Sequence, residues 1–328
     1  MLLGGVVKWN SGDPSWRDLT ALRYHFWTQP IPHGLSWWAH QAPELLLRGA
    51  VVTMFVVELV LPWFIFGPRR ARHIAAIGTV ALMTGILATG NYGTFNLLTV
   101  VLCIPLLDDG LLRSSRKVAS ALKPPSVKDR LGRTGILSAA LCLLLLDLCH
   151  VARRADPELT LPAPVTQVTR WARQLKISSS YGAFAQMTKT RPEIALEVSD
   201  DGTKWTPITL RYKTLALDRG HGFAGPHMPR VDWQLWFAAL AGQCQRARWT
   251  LGLFKGLLEG RPAVWALFDA GPPRRPRLLR STLWAYEFEP AESAKRSGHV
   301  WRRRRLRAFC PDLTLRSGGL RVAPTAAQ

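Results

Sequence analysis

The sequence predicts a membrane-embedded α-helical N-terminal half with about four spanning helices, followed by a soluble C-terminal β-rich domain of the sandwich, jelly-roll-like type. Long apolar runs fill roughly the first 150 residues, whereas polar, arginine-rich sequence with short alternating segments fills the rest. The whole-chain averages conceal this division, since 48% of the residues are hydrophobic and the mean hydropathy is near zero. A chain of 328 residues has room for both parts.

The chain is strongly basic, with 43 lysine and arginine residues against 22 acidic residues and a net charge of +21. Such an excess can indicate a nucleic-acid-binding protein. Here the basic residues stand in loops and tails around the apolar segments, where they set membrane topology or contact anionic lipid. We therefore expect membrane lipid, and no nucleic acid, among its partners.

Four apolar runs are candidates for membrane spans: Gly49–Phe66, His73–Thr89, Phe95–Leu107 and Gly135–Val151. The third run is short, and a re-entrant segment is its rival interpretation. Basic residues cluster at Arg69–Arg72 and again at Arg113–Arg133. The positive-inside rule places both clusters in the cytosol, which favours a full third span and puts both ends of the chain on the other side.

These patterns divide the chain into four predicted regions. Residues 1–44 form a non-cytosolic, aromatic-rich interfacial segment, in which a helix is expected to begin near Asp13 with Pro14 in its first turn. Residues 45–154 form the transmembrane helical region, 155–316 the soluble β-sandwich and 317–328 a disordered tail. Met1–Gly5 has neither a basic flank nor a cleavage signature, so no signal peptide is predicted.

The soluble region is organised around Tyr181–Leu240. Glu193–Val198 alternates as a strand, Ser199–Gly202 supplies a turn in which Gly202 takes positive φ, and Thr206–Tyr212 returns as a second strand. Pro229 then begins an aromatic-rich helix. Further strands are predicted at Val165–Arg173, Leu175–Ser180 and Leu278–Phe288, a short run opens at Val300, and Trp249–Leu258 is expected to pack on the sandwich.

The five cysteines carry little information. Cys103, Cys142 and Cys149 lie in apolar runs, where a free thiol acts as a small hydrophobic group. Cys244 and Cys310 are able to pair if the second half faces an oxidising compartment, but the sequence leaves their separation open. There is no CxxC motif and no zinc-type ligand spacing, so we predict no metal and no cofactor.

Two kinds of ionisable residue in the membrane half deserve a functional interpretation beside a structural one. Glu58 stands in the middle of a predicted span, where a carboxylate marks a partner or a functional site, or is hydrogen-bonded or protonated within the helix bundle. His25, like His33 and His40, stands near tryptophans on the predicted outer face and has the chemistry of a proton shuttle. The spacing of these histidines fits no metal site.

In the soluble half, Arg191, Arg211 and Arg230 with Asp232 are candidates for a charged groove. The alternative is that they connect loops through bidentate ion pairs. Trp233 and Trp236, with Phe237, are candidates for an exposed anchor that binds client proteins, or for an aromatic cluster in the core.

Motifs along most of the chain resemble the lipase maturation factor family. In the first half they are Trp16–Leu22, Tyr24–Pro32, Glu58–Pro62, Thr89–Thr99 and Leu106–Asp109. In the second half they are Tyr181–Ile194, Ser199–Gly202, Arg211–Lys213 and Pro229–Leu240. The match is long and ordered, and is therefore far more specific than a single short motif.

The resemblance implies a multi-spanning protein of the endoplasmic reticulum membrane, or of the plasma membrane for a bacterial source, with a lumenal C-terminal domain. Such proteins assist folding and dimer assembly of secreted lipases and are not known as enzymes, so secreted lipases are the expected clients. Further transmembrane helices are expected upstream of this region. The candidate client-binding or structural residues are Trp16, Arg17, Asp18, His25, Gln29, Glu58, Arg191, Arg211, Arg230, Asp232, Trp233 and Trp236.

Two other classes of function remain open at this point. One is a membrane enzyme that resembles the vitamin K-dependent carboxylases and uses Glu58 or His25 in a buried polar site. The other is a lipid- or glycan-binding module, which rests on the sandwich type alone.

Overall fold

The computed structural model describes residues 1–107, 127–156, 158–178, 182, 184–213, 215–269 and 275–324. In the range 127–156, side chains are described from residue 134 onwards. The described residues divide into two compact units. The first unit comprises Met1–Ala21, Leu47–Leu82 and Thr99–Met187. The second comprises Leu22–Leu46, Met83–Leu98 and Thr188–Gln328. Each unit therefore combines segments that are distant in the sequence.

Three helices among the described residues are long and apolar enough to cross a membrane: Glu44–Phe64, Arg69–Thr89 and Thr134–Ala155. They contain the first, second and fourth predicted spans. The first consists of an α-helix over Glu44–Phe55, a π-helical turn over Val56–Val60 and a last turn over Leu61–Phe64. The third helix is the end of a longer one, Val127–Ala155.

The third predicted span, Phe95–Leu107, is not confirmed. Its residues belong to a helix over Thr94–Val101 and a 3-10 turn over Ile104–Leu106, an apolar stretch shorter than the other three candidate spans, and the residues after Leu107 lie outside the described part of the chain. Pro105 lies within the 3-10 turn, and a proline there interrupts regular helical hydrogen bonding. Most of the predicted basic loop Arg113–Arg133, together with Asp108 and Asp109, lies outside the described residues.

Close helix packing marks the first unit. Val57 and Leu61 of the first candidate span form a small buried core with Ala75 of the second. A Cβ atom at Gly78 would lie 2.4 Å from Leu61 Cδ1, so only glycine lets the two helices approach this closely. The predicted helix start near Asp13 is confirmed, because Asp13 caps the helix Pro14–Arg17 by accepting a 2.9 Å hydrogen bond from the Ser15 amide.

The strand predicted over Val165–Arg173 is wrong, because these residues belong to the helix Ala163–Gln174. Several β-branched residues suggested a strand, but Pro164 stands in the first turn of the helix, where its missing N–H costs nothing. Thr169 and Ala172 are buried at helical spacing. In the second predicted strand, Leu175–Ser180, the described residues form turns.

The second unit is built on one antiparallel sheet of five strands in the order β2-β1-β3-β4-β5. The strands are β1 Pro192–Ser199, β2 Thr206–Ile208, β3 Leu278–Phe288, β4 Trp301–Arg316 and β5 Gly319–Val322. The predicted first hairpin is confirmed, with Gly202 at φ +79° in its turn, but its second strand ends at Ile208 and not at Tyr212. The strand predicted over Leu278–Phe288 is also confirmed, as β3.

Helices, not a second sheet, cover this sheet in the described residues. Leu235 of the helix Arg230–Ala241 and Phe254 of the helix Trp249–Leu258 are buried in one core with Leu196, Leu283 and other residues of β1, β3 and β4. The predicted two-sheet, jelly-roll-like sandwich is therefore not confirmed: the described residues form one sheet, and the apolar helix Trp249–Leu258 packs where a sandwich has its second sheet.

The end of the chain is more regular than predicted. β4 continues through the arginines after Trp301, and β5 forms where a disordered tail was expected from Ser317. Leu320 packs against the core and pairs with Leu315, and burial of this apolar side chain stabilises β5 as an ordered strand. A disulfide joins Cys244 to Cys310 of β4. The remaining helices are Leu2–Trp9, Leu22–Thr28, Gly34–His40, Pro262–Trp265 and Ala291–Ser297, with a 3-10 turn at Cys244–Arg246.

Candidate functional site

The second unit contains a group of buried ionisable side chains, which we call the buried ion cluster. Its members are Arg191, Glu193, Lys213, His221 and Asp232, and each of them is at most 5% exposed. Arg191 precedes β1, Glu193 is the second residue of β1, and Asp232 lies in the first turn of the helix Arg230–Ala241. Charges so deeply buried persist only when they are paired, so the contacts inside the cluster define what it does.

Glu193 holds two cations at once. Arg191 Nη2 lies 2.6 Å from Glu193 Oε1, and Lys213 Nζ lies 2.6 Å from Glu193 Oε2. Burial lowers the pKa of both Arg191 and Lys213, and the Glu193 carboxylate opposes this effect at each of them. The single carboxylate therefore stabilises the charged form of two buried basic groups.

Arg191 also connects β1 to the end of the helix Leu22–Thr28 and to the residues that follow it. Its guanidinium donates hydrogen bonds to the main-chain carbonyls of Trp27 at 2.8 Å, of Pro30 at 3.2 Å and of Gln29. The same guanidinium lies 5.1 Å from the ring centroid of Trp301, within the range of a cation–π contact. Such a fully used arginine fixes a loop and offers nothing to a ligand.

His221 and Asp232 complete the cluster with opposite pKa shifts. Burial, reinforced by the charges of Arg191 and Lys213, lowers the pKa of His221 well below its ordinary value, so this ring is neutral at physiological pH. It lies edge-on to Trp301, with ring centroids 5.8 Å apart. Burial raises the pKa of Asp232 to about 6, against the opposite effect of the Lys213 ammonium.

The space beside the cluster is small. A cavity of about 20 Å³ is lined by Glu193, Lys213 and apolar side chains such as Leu235 and Phe268. This volume accommodates about one water molecule, far less than a substrate needs. Among the described residues, no group of three or more histidine, cysteine or acidic side chains is arranged to hold a metal ion.

The first unit has a buried ion pair of its own. Glu58 lies in the π-helical turn of the first candidate span, and Lys8 Nζ donates to both of its carboxylate oxygens at 2.7 Å. Lys8 Nζ also lies 5.7 Å from the ring centroid of Trp16, whose indole N–H donates to the Phe184 carbonyl at 3.1 Å. Glu58 is thus hydrogen-bonded within its unit, in line with the structural interpretation considered for it.

Four other predicted site residues in the second unit make polar contacts within that unit. Trp236 donates to the Thr28 carbonyl at 2.8 Å, and Trp233 to the Asn91 carbonyl at 3.3 Å. Gln29 donates to the carbonyls of Phe26 and Thr89 and to the Ser36 hydroxyl, while His25 Nε2 lies 3.3 Å from the Tyr92 hydroxyl. The exposed members of the predicted set are Arg17, Asp18, Arg211 and Arg230.

The structure brings Arg191 and Asp232 into one cluster but leaves Arg211 and Arg230 on the surface, so the four do not line a common groove. Sequence reasoning missed Glu193, Lys213, His221 and Lys8 as partners. Lys213 at least belonged to the Arg211–Lys213 motif. Glu193 belonged to the Tyr181–Ile194 motif, but its parity with Glu197 in β1 suggests a solvent-facing position.

Comparison with known proteins assigns both halves of the chain. Residues 1–114 match the family model described as the lipase maturation factor transmembrane domain, and residues 177–311 match the lipase maturation factor C-terminal domain. The transmembrane-domain match and the apolar helices support the character of a membrane protein. The chain belongs to the lipase maturation factor family.

Curated relatives agree with this assignment. The chain is 30% identical to lipase maturation factor 2 of Homo sapiens and 28% identical to that of Gallus gallus. It is 27% identical to lipase maturation factor 1 of Homo sapiens. Each comparison covers 96% of this chain, which spans 58 to 59% of the length of these relatives. No solved structure matches the chain.

Proposed function

We propose that this chain is a membrane-anchored maturation factor that assists the folding and dimer assembly of secreted lipases and does not itself catalyse a reaction. The observation that carries the proposal is the presence of both lipase maturation factor domains in one chain. The names of the relatives refer to lipase maturation in those proteins, and secreted lipases are therefore the clients we propose here.

The state of the ionisable residues supports a non-catalytic role. The carboxylate of Glu193 is used by two cations, the guanidinium of Arg191 by main-chain carbonyls, and Glu58 by Lys8. The cavity beside the buried ion cluster has room for about one water molecule. These groups stabilise the two units, and client binding then falls to exposed surfaces.

The disulfide supports a lumenal position for the second unit. Cys244 and Cys310 are bonded, and structural disulfides persist in oxidising compartments such as the lumen of the endoplasmic reticulum. The apolar helices anchor the chain in that membrane, or in the plasma membrane for a bacterial source. This location places the second unit where secreted lipases fold.

We infer that clients contact the outer face of the helix Arg230–Ala241. Leu235, Ala238 and other residues of its inner face are buried in the core. On the opposite side, Phe237 is 50% exposed, Leu240 is 38% exposed, and Arg230 is exposed near the start of the helix. Aromatic and arginine side chains dominate the energetics of binding surfaces, and this face offers both.

The direct test uses cells that lack the endogenous factor and express a secreted homodimeric lipase. The chain is expressed there, and secreted lipase activity is divided by secreted lipase protein mass. We expect this ratio to rise, with no change in a secreted monomeric reporter enzyme. A stable, correctly localised chain that leaves the ratio unchanged contradicts the proposed function.

A matched pair of substitutions tests the client surface separately. Phe237→Ser removes the exposed ring from the proposed surface, while Phe223→Ser removes a ring of similar exposure, 54%, elsewhere in the same unit. We expect the first to reduce the rescue and the second to leave it unchanged at equal expression. Equal rescue by both variants rejects this surface but not the proposed function.

A further inference from the structure

The first unit contains an open cavity of about 450 Å³ that none of the preceding roles uses. Three chain segments line it: Val7 with Asn10 and Ser11, the pair Arg153 and Arg154, and the pair Ala185 and Gln186. The volume lies within the range of pockets that bind small molecules. The cavity is therefore large enough for a headgroup-sized ligand.

The charge of the lining determines the class of ligand. Arg153 and Arg154 are exposed, and neither guanidinium has an ion pair or a hydrogen bond with another residue in the described part of the chain. Among the described residues, the lining contains no carboxylate. Two uncompensated guanidinium groups favour an anion with several acceptor oxygens, and phosphate is the group that arginine recognises with two parallel hydrogen bonds.

The position of the two arginines is fixed by contacts within the unit. Asn10 Nδ2 donates to the main-chain carbonyls of Arg154 at 3.1 Å and Ala155 at 2.8 Å. These bonds satisfy terminal carbonyls of the helix Val127–Ala155 and hold its end against the segment after the first helix. They also reduce the negative end of the helix dipole, which amounts to only about half a charge beside two full positive charges.

The other polar groups of the wall are largely committed. Ser11 Oγ donates to the Lys8 carbonyl at 2.8 Å and accepts from the Asp13 amide at 3.2 Å. This leaves the Gln186 amide and the two guanidinium groups to face a ligand. The cavity thus combines a structured wall with a small set of free cationic and amide donors.

The location of the cavity indicates where such an anion comes from. Arg153 and Arg154 stand in the last turn of the candidate span Thr134–Ala155. The end of an apolar span of this length falls at the membrane interface, which is the level of the phospholipid phosphates. We propose that this cavity binds the phosphate group of an anionic glycerophospholipid, with free inorganic phosphate as the other source of the same chemistry.

The test measures binding of a fluorescent short-chain phosphatidylglycerol to the full chain in uncharged detergent. The double variant Arg153→Gln/Arg154→Gln is expected to weaken binding by about tenfold or more, because both charge-assisted contacts are lost. Its matched control is Arg170→Gln/Arg173→Gln, which removes two exposed arginines from the helix Ala163–Gln174 of the same unit. The control is expected to change binding less than about twofold, as charges outside the cavity contribute only through screened attraction.

A second variant separates shape from charge. Gln186→Trp places a large side chain at the wall and keeps both arginines, and it is expected to weaken phosphatidylglycerol binding while an unchanged melting temperature shows that the fold is intact. Equal weakening by the double variant and its control, or no weakening by the double variant and Gln186→Trp, overturns the proposal.

Competition identifies the source of the anion. Unlabelled phosphatidylglycerol is expected to displace the probe, and zwitterionic phosphatidylcholine is expected to displace it less well. Displacement by millimolar inorganic phosphate assigns the site to free phosphate, whereas resistance to inorganic phosphate assigns it to the lipid. Equal displacement by the two lipids shows that the net negative charge of the headgroup is not recognised and contradicts a site for an anionic glycerophospholipid.

Discussion

Removing the carboxylate of Glu193 is expected to destabilise the second unit strongly. In the variant Glu193→Gln, the negative charge that lies 2.6 Å from both Arg191 and Lys213 is lost, an NH2 group replaces one of the two oxygens, and both basic side chains remain almost fully buried. Breaking a buried ion pair by removing one partner costs about 3–5 kcal/mol, because it leaves an uncompensated charge. Here one carboxylate serves two cations, so we expect a cost at the upper end of that range.

The pH dependence of this loss has a defined sign. Burial already lowers the pKa of Lys213 in the folded chain, and loss of Glu193 lowers it further. A folded-state pKa below the unfolded value of about 10.4 means that the unfolded chain binds more protons, so stability rises with pH between the two values. The deficit of Glu193→Gln should therefore shrink as the pH rises, because Lys213 releases its proton at a lower pH in the folded variant than in the folded wild type.

Melting curves of the full chain in detergent, followed by the fluorescence of its 14 tryptophans, measure the effect. The expected lowering of the melting temperature is on the order of 10 °C. Glu197→Gln is the matched control, because Glu197 lies on the same strand with the same parity, is only half-buried, and should cost about 2 °C or less. A melting temperature of Glu193→Gln within that range of the wild type refutes the view that Glu193 neutralises two buried cations.

Two further predictions concern pH and redox state. The pKa of Asp232, about 6 when folded, exceeds its unfolded value of about 3.9, so Asp232 stabilises the fold as pH falls between these values. The lowered pKa of His221 has the opposite effect, since it makes the fold less stable as the pH falls below about 6.5. In the wild type the two effects nearly cancel from pH 6 to 5, whereas the free energy of unfolding of Asp232→Asn should fall by about 1.4 kcal/mol per pH unit over this range in melting curves. A variant whose stability does not change with pH contradicts a buried neutral His221. Reduction of the Cys244–Cys310 disulfide, which spans 66 residues, should lower the free energy of unfolding of the wild type by up to about 4 kcal/mol. A reductant that lowers the melting temperature of Cys244→Ser as much as that of the wild type argues against this bond.

Local patterns predicted those parts of the fold in which sequence and tertiary contacts agree. The hairpin around Gly202 has a turn that only certain residues can make, and the apolar run of the second candidate span has few alternatives. The stretch Val165–Arg173 failed because its β-branched residues suit both a strand and a helix, and packing decided for the helix. β5 was missed because four residues carry too little pattern to distinguish a strand from a tail.

The candidate site was predictable only in part, for a physical reason. Arg191 and Asp232 were recognised as charged residues in a suggestive stretch, but a sequence does not show which charges are buried together. The carbonyls that bind Arg191 belong to residues 161 to 164 positions earlier in the chain. Glu193 is buried although the alternation of β1 places it with Glu197, which shows that long-range contacts overrode the strand pattern at that position.

The hydrogen bonds of Arg191 impose an order of events on the newly made chain. The carbonyls of Trp27, Gln29 and Pro30 obtain their donor only after residue 191 has been synthesised, which at about 5–20 residues per second takes roughly 8 to 30 s after residue 30. During that interval the segment Leu22–Leu46 lacks its partners in the second unit. A chain that stops before Arg191 therefore leaves this segment without the donor of these hydrogen bonds. We expect the cell's quality control to recognise such a chain as incompletely folded.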